Sequence, residues 1–300
     1  MIDHLRHCTR TIKPLVFIVS LTYFAPVNNV SAQDNDDRMS ATVGLDATHA
    51  YLFRGISQET SGSIAQPFAE LGINLNDGAE TLPSVDITIG QWNSLHSGPT
   101  GSGRISNPGS TNTTAMWYES DFYGGVNLGY ETWQAGLTYT SYLSPNNSFG
   151  TVKELALNLQ MDDTEFWQDR LFGGLSLSPH IVLAFELSGQ ADGGASEGTY
   201  FEFGIEPGLP LDSGELTFSF PISIGLSLSD YYENGTDMDD TFGFFEVGIL
   251  ATLPLGTTDG YGEWELSGGL KLVNLGTYLE HLNRSDGTQL IGTGGFSVGF

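Results

Sequence analysis

An alternation of period two limits the fold of this chain more than any other feature. From 216 to 228 every even position is large and apolar (Leu216, Phe218, Phe220, Ile222, Ile224, Leu226, Leu228), and the odd positions carry Thr, Ser, Pro or Gly. Successive side chains of a strand point to opposite faces, so the pattern belongs to a strand with one apolar face. Segment 116–130 likewise separates Met116, Tyr118, Ser120, Phe122, Gly124, Val126, Leu128 and Tyr130 from Trp117, Glu119, Asp121, Tyr123, Gly125, Asn127 and Gly129. Segment 264–272 alternates too. Weaker versions complete a set of twelve predicted strands, near 41–53, 66–75, 84–92, 116–129, 132–142, 152–161, 180–190, 200–207, 215–229, 242–253, 262–275 and 289–300. Pro221 lacks a ladder N–H, which predicts a kink within the ninth.

A soluble sandwich also alternates, with its apolar face inward. Two features favour a membrane barrel. Many predicted strands run roughly 10–15 residues, enough for a tilted span of about 9–11. The connections also alternate in size. The long ones are 54–65, the Gly/Ser/Asn-rich 93–115, 143–151, 191–199, 230–241 and 276–288, and most of those between them, such as 130–131, 208–214 and 254–261, are shorter. The exception is 162–179, where Asp162 and Asp163 precede a short helical pattern. Beyond residue 32 no apolar run reaches the about 20 residues of a spanning helix. Hydrocarbon satisfies no free backbone N–H or C=O, so closure of the sheet is the remaining option. The expectation is an all-β, transmembrane, antiparallel up-and-down barrel of about 12 strands.

The N-terminus predicts export. Arg6, Arg10 and Lys13 precede an apolar run over 15–25, and Val30-Ser31-Ala32 follows with small residues at the positions a signal peptidase reads. That order is a secretory signal peptide over 1–32, leaving a barrel domain over 33–300. The only cysteine, Cys8, would leave with it, so disulfides play no part. Residues 33–300 hold 7 Lys and Arg against 35 Asp and Glu, a formal charge of −28. Such a charge excludes nucleic acid as a partner. The chain ends Phe296-Ser297-Val298-Gly299-Phe300. An alternating strand with Phe296, Val298 and Phe300 on its apolar face resembles the C-terminal signal read by the outer-membrane insertion machinery. The expected location is therefore the cell outer membrane of a Gram-negative-type cell, with that machinery and the membrane lipids as partners.

The run Tyr51-Leu52-Phe53-Arg54-Gly55-Ile56-Ser57-Gln58 resembles the opening motif of the TorF-like porin family, Tyr-x-Phe-Arg-Gly-x-Ser-Gln. Tyr139 to Pro145, Glu154 and Gly198-Thr199-Tyr200-Phe201-Glu202 resemble that family's middle region more loosely. Segments 93–115 and 162–179 depart from its pattern. The resemblance implies a porin-like barrel and passive transport, with no solute named.

With apolar faces outward, the predicted lumen carries Asp46, Glu70, Asp86, Glu119, Asp121, Glu154, Glu186, Glu202, Glu206, Glu246, Glu263 and Glu265, against the two bases Arg54 and Lys271. Fixed carboxylates in a narrow passage gather cations, so small solutes or cations are the expected cargo. The alternative is a plugged structural or adhesive barrel whose inner charges are hydrated or paired. Arg54 fits a constriction and equally a structural pair with a carboxylate. A barrel enzyme of lipase type is the rival class: His49 falls on the apolar face of the first strand, but no Ser/His motif surrounds it. No histidine pair has metal spacing, Gly292-Thr293-Gly294-Gly295 opens no helix, and Asp237-Met238-Asp239-Asp240 lacks the calcium-loop spacing. No catalytic residue, metal or cofactor is expected.

Overall fold

A strand edge left open in hydrocarbon would strand a row of N–H and C=O groups, and this sheet leaves none. The computed structural model describes residues 38–60, 62–79, 81–98, 116–167, 175–210, 216–233, 239–258, 261–284 and 287–300. The predicted signal peptide and the start at Gln33 lie outside the described residues. The strands are β1 (Met39–Thr48), β2 (Tyr51–Phe53), β3 (Ile56–Glu59), β4 (Ile64–Asn76), β5 (Ser84–His96), β6 (Trp117–Tyr130), β7 (Trp133–Leu143), β8 (Val152–Met161), β9 (His180–Ser188), β10 (Thr199–Ile205), β11 (Gly208–Pro210), β12 (Thr217–Ser219), β13 (Ile222–Ser229), β14 (Phe242–Thr258), β15 (Gly262–Leu275) and β16 (Thr288–Gly299). Among the described residues two short helices join them, α1 (Thr164–Trp167) and α2 (Thr277–Asn283).

All the barrel pairings are antiparallel, and β1 closes on β16 from Thr42↔Gly299 to Thr48↔Thr293. The seam is completed where the Ala41 N–H donates to the Phe300 carbonyl and the Phe300 N–H to the Ala41 carbonyl. β10 with β11, and β12 with β13, are halves of two staves, so the barrel has twelve. Their breaks fall at Pro207 and at Pro221, the predicted kink. The ladder resumes where the Gly248 N–H donates to the Pro221 carbonyl at 2.8 Å. Arg38 and Phe300 lie at one rim with the mostly short turns, the turn end; the longer connections lie at the other, the loop end.

The outer surface is apolar in a way water would not tolerate. Phe122, Leu137, Leu157, Phe203, Ile249, Leu266 and Leu270 stand exposed, Leu270 at 54 %. Burying one such side chain is worth about 1.5–3 kcal/mol, and soluble monomers avoid continuous apolar patches of this kind. The belt therefore belongs in hydrocarbon, and the fold is a transmembrane barrel.

Three local expectations are corrected. The first stave stops at Thr48; residues 51–59 leave the wall and form the hairpin β2–β3, a separate two-stranded sheet inside the barrel. The fifth strand runs on to His96, so its loop begins later than position 93. A register shift at Ser94/Leu95 turns Trp117 out, 46 % exposed, and Tyr118 in, 1 % exposed, the reverse of strict alternation. The predicted helical segment is present as α1, where Asp162 Oδ1 accepts the Thr164 N–H at 3.0 Å.

Candidate functional site

The site is the loop-end half of the lumen, and the hairpin fills it. Alternation operates again on a small scale. Tyr51 and Phe53 pack with Ile64, Phe68, Trp92, Tyr118, Tyr142 and Val152 on one side. Leu52 and Ile56 pack on the other with Tyr200, Tyr231, Tyr232, Phe244, Leu275 and Leu279. Helix α2 covers the hairpin tip: Asn283 Nδ2 donates to the Gly55 carbonyl at 2.7 Å, and Asn283 Oδ1 accepts the Ser57 N–H at 2.9 Å. The run Tyr51 to Gln58 singled out in the sequence is this hairpin.

Arg54 and Gly55 form its two-residue turn, both with positive φ (48° and 82°), as a type I′ turn requires. A Cβ on Gly55 would lie 2.5 Å from Leu279 Cδ1, so glycine is needed for space as well. A non-glycine residue in the left-handed region is strained, and the Arg54 side chain holds it there. Its Nη1 donates to Glu154 Oε2 at 2.5 Å and its Nη2 to Glu154 Oε1 at 2.8 Å. Nη1 also donates to Tyr231 Oη at 2.8 Å. The guanidinium carbon lies 4.2 Å from the Tyr200 ring centre and 5.0 Å from that of Phe53. Tyr142 Oη donates to Glu154 Oε1, and Tyr232 Oη to the Arg54 carbonyl.

The predicted lumen acids fall on inner-face positions but do different things. Asp121 is wholly buried and neither carboxylate oxygen has a hydrogen-bond partner among the described residues; Glu119 is buried two positions away. Glu70 accepts from Tyr123 Oη at 2.9 Å, and Asp86 from Asn74 Nδ2 at 3.0 Å. Glu202 faces His180 at 3.6 Å, and Lys271 faces Glu246 at 3.5 Å. Asp46 keeps one oxygen without a partner, and Glu206, Glu263 and Glu265 are half-buried. Glu186 serves the backbone instead, because its carboxylate accepts the Ala191 and Gly198 N–H groups and so shapes loop 189–198. In that loop Asp192 accepts the Gly194 and Glu233 N–H groups, and burial pushes its carboxyl up to about 6. Of the C-terminal trio, Phe296 and Phe300 are exposed on the belt, whereas Val298 is only 6 % exposed, set in register between Val43 and Trp264.

Sequence reasoning missed one constellation. Ser94 Oγ lies 2.7 Å from His96 Nε2, and His96 Nδ1 lies 3.9 Å from Glu59 Oε2. Its only signal was the Ser-x-His spacing, which puts both on one strand face. Ser94 is 0 % exposed with the hairpin in place. With His96 stacked on Tyr118 at 4.5 Å, the group receives the end of the hairpin at Glu59. His49, the candidate on the outer surface, accepts the Gly292 N–H on Nδ1 and ties β1 to β16.

No protein-family model matches the chain, and neither does any curated protein. Solved structures with a similar barrel include an outer membrane channel from Pseudomonas putida F1 (11% identity, TM-score 0.49, 93% of this chain and 100% of that one). They also include the NanC porin (11%, 0.42, 85% and 98%) and the translocator domain of the autotransporter NalP from Neisseria meningitidis (12%, 0.39, 89% and 90%). At such identities and scores these likenesses carry no functional argument, and the function has to be read from the lumen itself.

Proposed function

We propose that the protein is an outer-membrane, porin-like channel for passive diffusion of small solutes, preferring cations, and that hairpin β2–β3 is its plug. The carrying observation is the imbalance of the inner wall: among the described inner-face residues, carboxylates far outnumber Arg54, Lys271 and His180. Fixed carboxylates in a narrow passage concentrate counter-ions. Export by a signal peptide over 1–32 and insertion through Phe296, Val298 and Phe300 belong to the same reading, as does membership of the TorF-like porin family, which the motif at 51–58 supports. The reading assigns no catalytic role to any residue. The test is a planar bilayer under a salt gradient. The reversal potential takes the sign of a cation-selective pore, strongly in dilute salt and weakly in concentrated salt, because screening shortens the reach of the charges from about 30 Å at 0.01 M to about 3 Å at 1 M. Asp86→Asn with Glu265→Gln, two half-buried inner-face acids, weakens the preference. Anion preference would overturn the proposal.

The core around the hairpin favours a second reading, a permanently plugged structural barrel: Tyr51 and Leu279 are 0 % exposed. Under that reading the intact folded protein passes no current.

A further inference from the structure

The chain delivers a guanidinium of its own into a receptor shaped for one. Glu154 presents both oxygens to Arg54 in the fork geometry that suits a planar cation, Tyr231 adds an acceptor, and the Tyr200 ring lies against the guanidinium face. Two parallel N–H···O bonds plus stacking distinguish a guanidinium from an ammonium point charge. None of these partners belongs to the hairpin. Glu154 stands on β8, Tyr200 on β10, and Tyr231 just beyond β13, so the seat outlasts removal of its occupant. A cavity of about 50 Å³ adjoins it, lined by Tyr118, Glu119, Tyr142 and Glu154 on the barrel side and by Phe53 and Gln58 of the hairpin. Its acidic and aromatic walls are what an approaching organic cation would meet. Nearby Asp121 is wholly buried with both oxygens unpartnered, so hydrogen-bonding capacity beside the seat is left unused among the described residues.

We infer that the Glu154–Tyr200–Tyr231 seat is a binding site for guanidinium-bearing solutes, and that Arg54 occupies it as a tethered competitor. Bound solute and seated plug are mutually exclusive, so a solute that takes the seat favours the unplugged state by its differential affinity. Primary amines bind more weakly because they lack the fork. The inference deepens the channel reading and rests on it only for the word solute; the seat is tested without measuring current.

Arg54→Ala vacates the seat. Millimolar guanidinium chloride then raises the unfolding midpoint of Arg54→Ala saturably, as mass action on a folded-state site requires, while equal sodium chloride does not. Arg54→Ala/Glu154→Gln loses the rise. No saturable rise, or the same rise in the double variant, overturns the inference. A second measurement covers failure of Arg54→Ala to fold. Ser57→Cys, in a Cys8→Ser background with Arg54 intact, places a thiol in the buried hairpin. Free arginine speeds its maleimide labelling more than lysine at equal concentration; equal rates, or no acceleration by either, overturn the inference. Saturable binding in a protein that never conducts would sink the channel and keep the seat.

Discussion

The two halves of the lumen are built on the same alternating staves and end up unlike. At the loop end the inner positions carry large aromatics, Trp92, Tyr118, Tyr142 and Tyr200, and these close on the hairpin as a packed core. Toward the turn end the same faces carry small and polar residues such as Gly72, Gly125, Gly136, Asn127 and Asn158. Polar pairs there run across the wall, as where Asn127 Nδ2 donates to Thr88 Oγ1 at 3.1 Å. Gly90 shows how closely the two are fitted: a Cβ there would strike the Tyr123 ring at 2.2 Å, and that ring's hydroxyl serves Glu70. Alternation decides which side chains face the lumen; their size decides whether the lumen is filled or left polar.

Replacing 51–59 by a flexible linker should produce the largest change. It removes the centre of both apolar clusters, so the unfolding midpoint falls steeply, and on the proposed reading the single-channel conductance of the protein that still folds rises. An unchanged midpoint would mean that the two halves do not differ in packing. Arg54→Ala comes next. It leaves Glu154 buried without its cation, which costs about 3–5 kcal/mol. Denaturant titration measures this, and Asp86→Ala at the turn end should cost far less. Equal losses would erase the contrast between the halves.

The belt gives the third comparison. Ile249→Arg puts a charge on the lipid face and should destabilise the folded barrel by about 2–4 kcal/mol, whereas Thr138→Arg, toward the polar lumen, should cost less. The reverse order in refolding yields would mean that the apolar face is not in hydrocarbon. The smallest effect is at Asp192. Its carboxyl is raised from an ordinary 3.8 to about 6 by burial. The folded loop thus holds a proton more tightly than the unfolded chain. The associated stability is present below about pH 4 and is lost as pH rises through about 6. Hydrogen exchange of amides in 189–198 should therefore speed up over that interval beyond its intrinsic pH dependence, and Asp192→Asn should flatten the excess.

The residues alone determined the twelve staves to within a few positions, their facing, the break at Pro221 and the short helix at 164–167. Each depends on neighbours in the chain: alternation is a property of one strand, and proline lacks its N–H whatever surrounds it. Only the tertiary structure decided what the motif at 51–58 does. Tyr51, Leu52 and Phe53 alternate like the end of a stave. The chain leaves the wall after Thr48 because twelve staves enclose a space that their own side chains leave open at the loop end, and a two-faced apolar hairpin fills it. The pairing of Arg54 with Glu154, 100 positions away, the inward turn of Tyr118 at a register shift, and the covering of Val298 follow from that closure. They are set by which staves lie opposite or beside one another, and a single strand's pattern carries no record of its neighbours across the barrel.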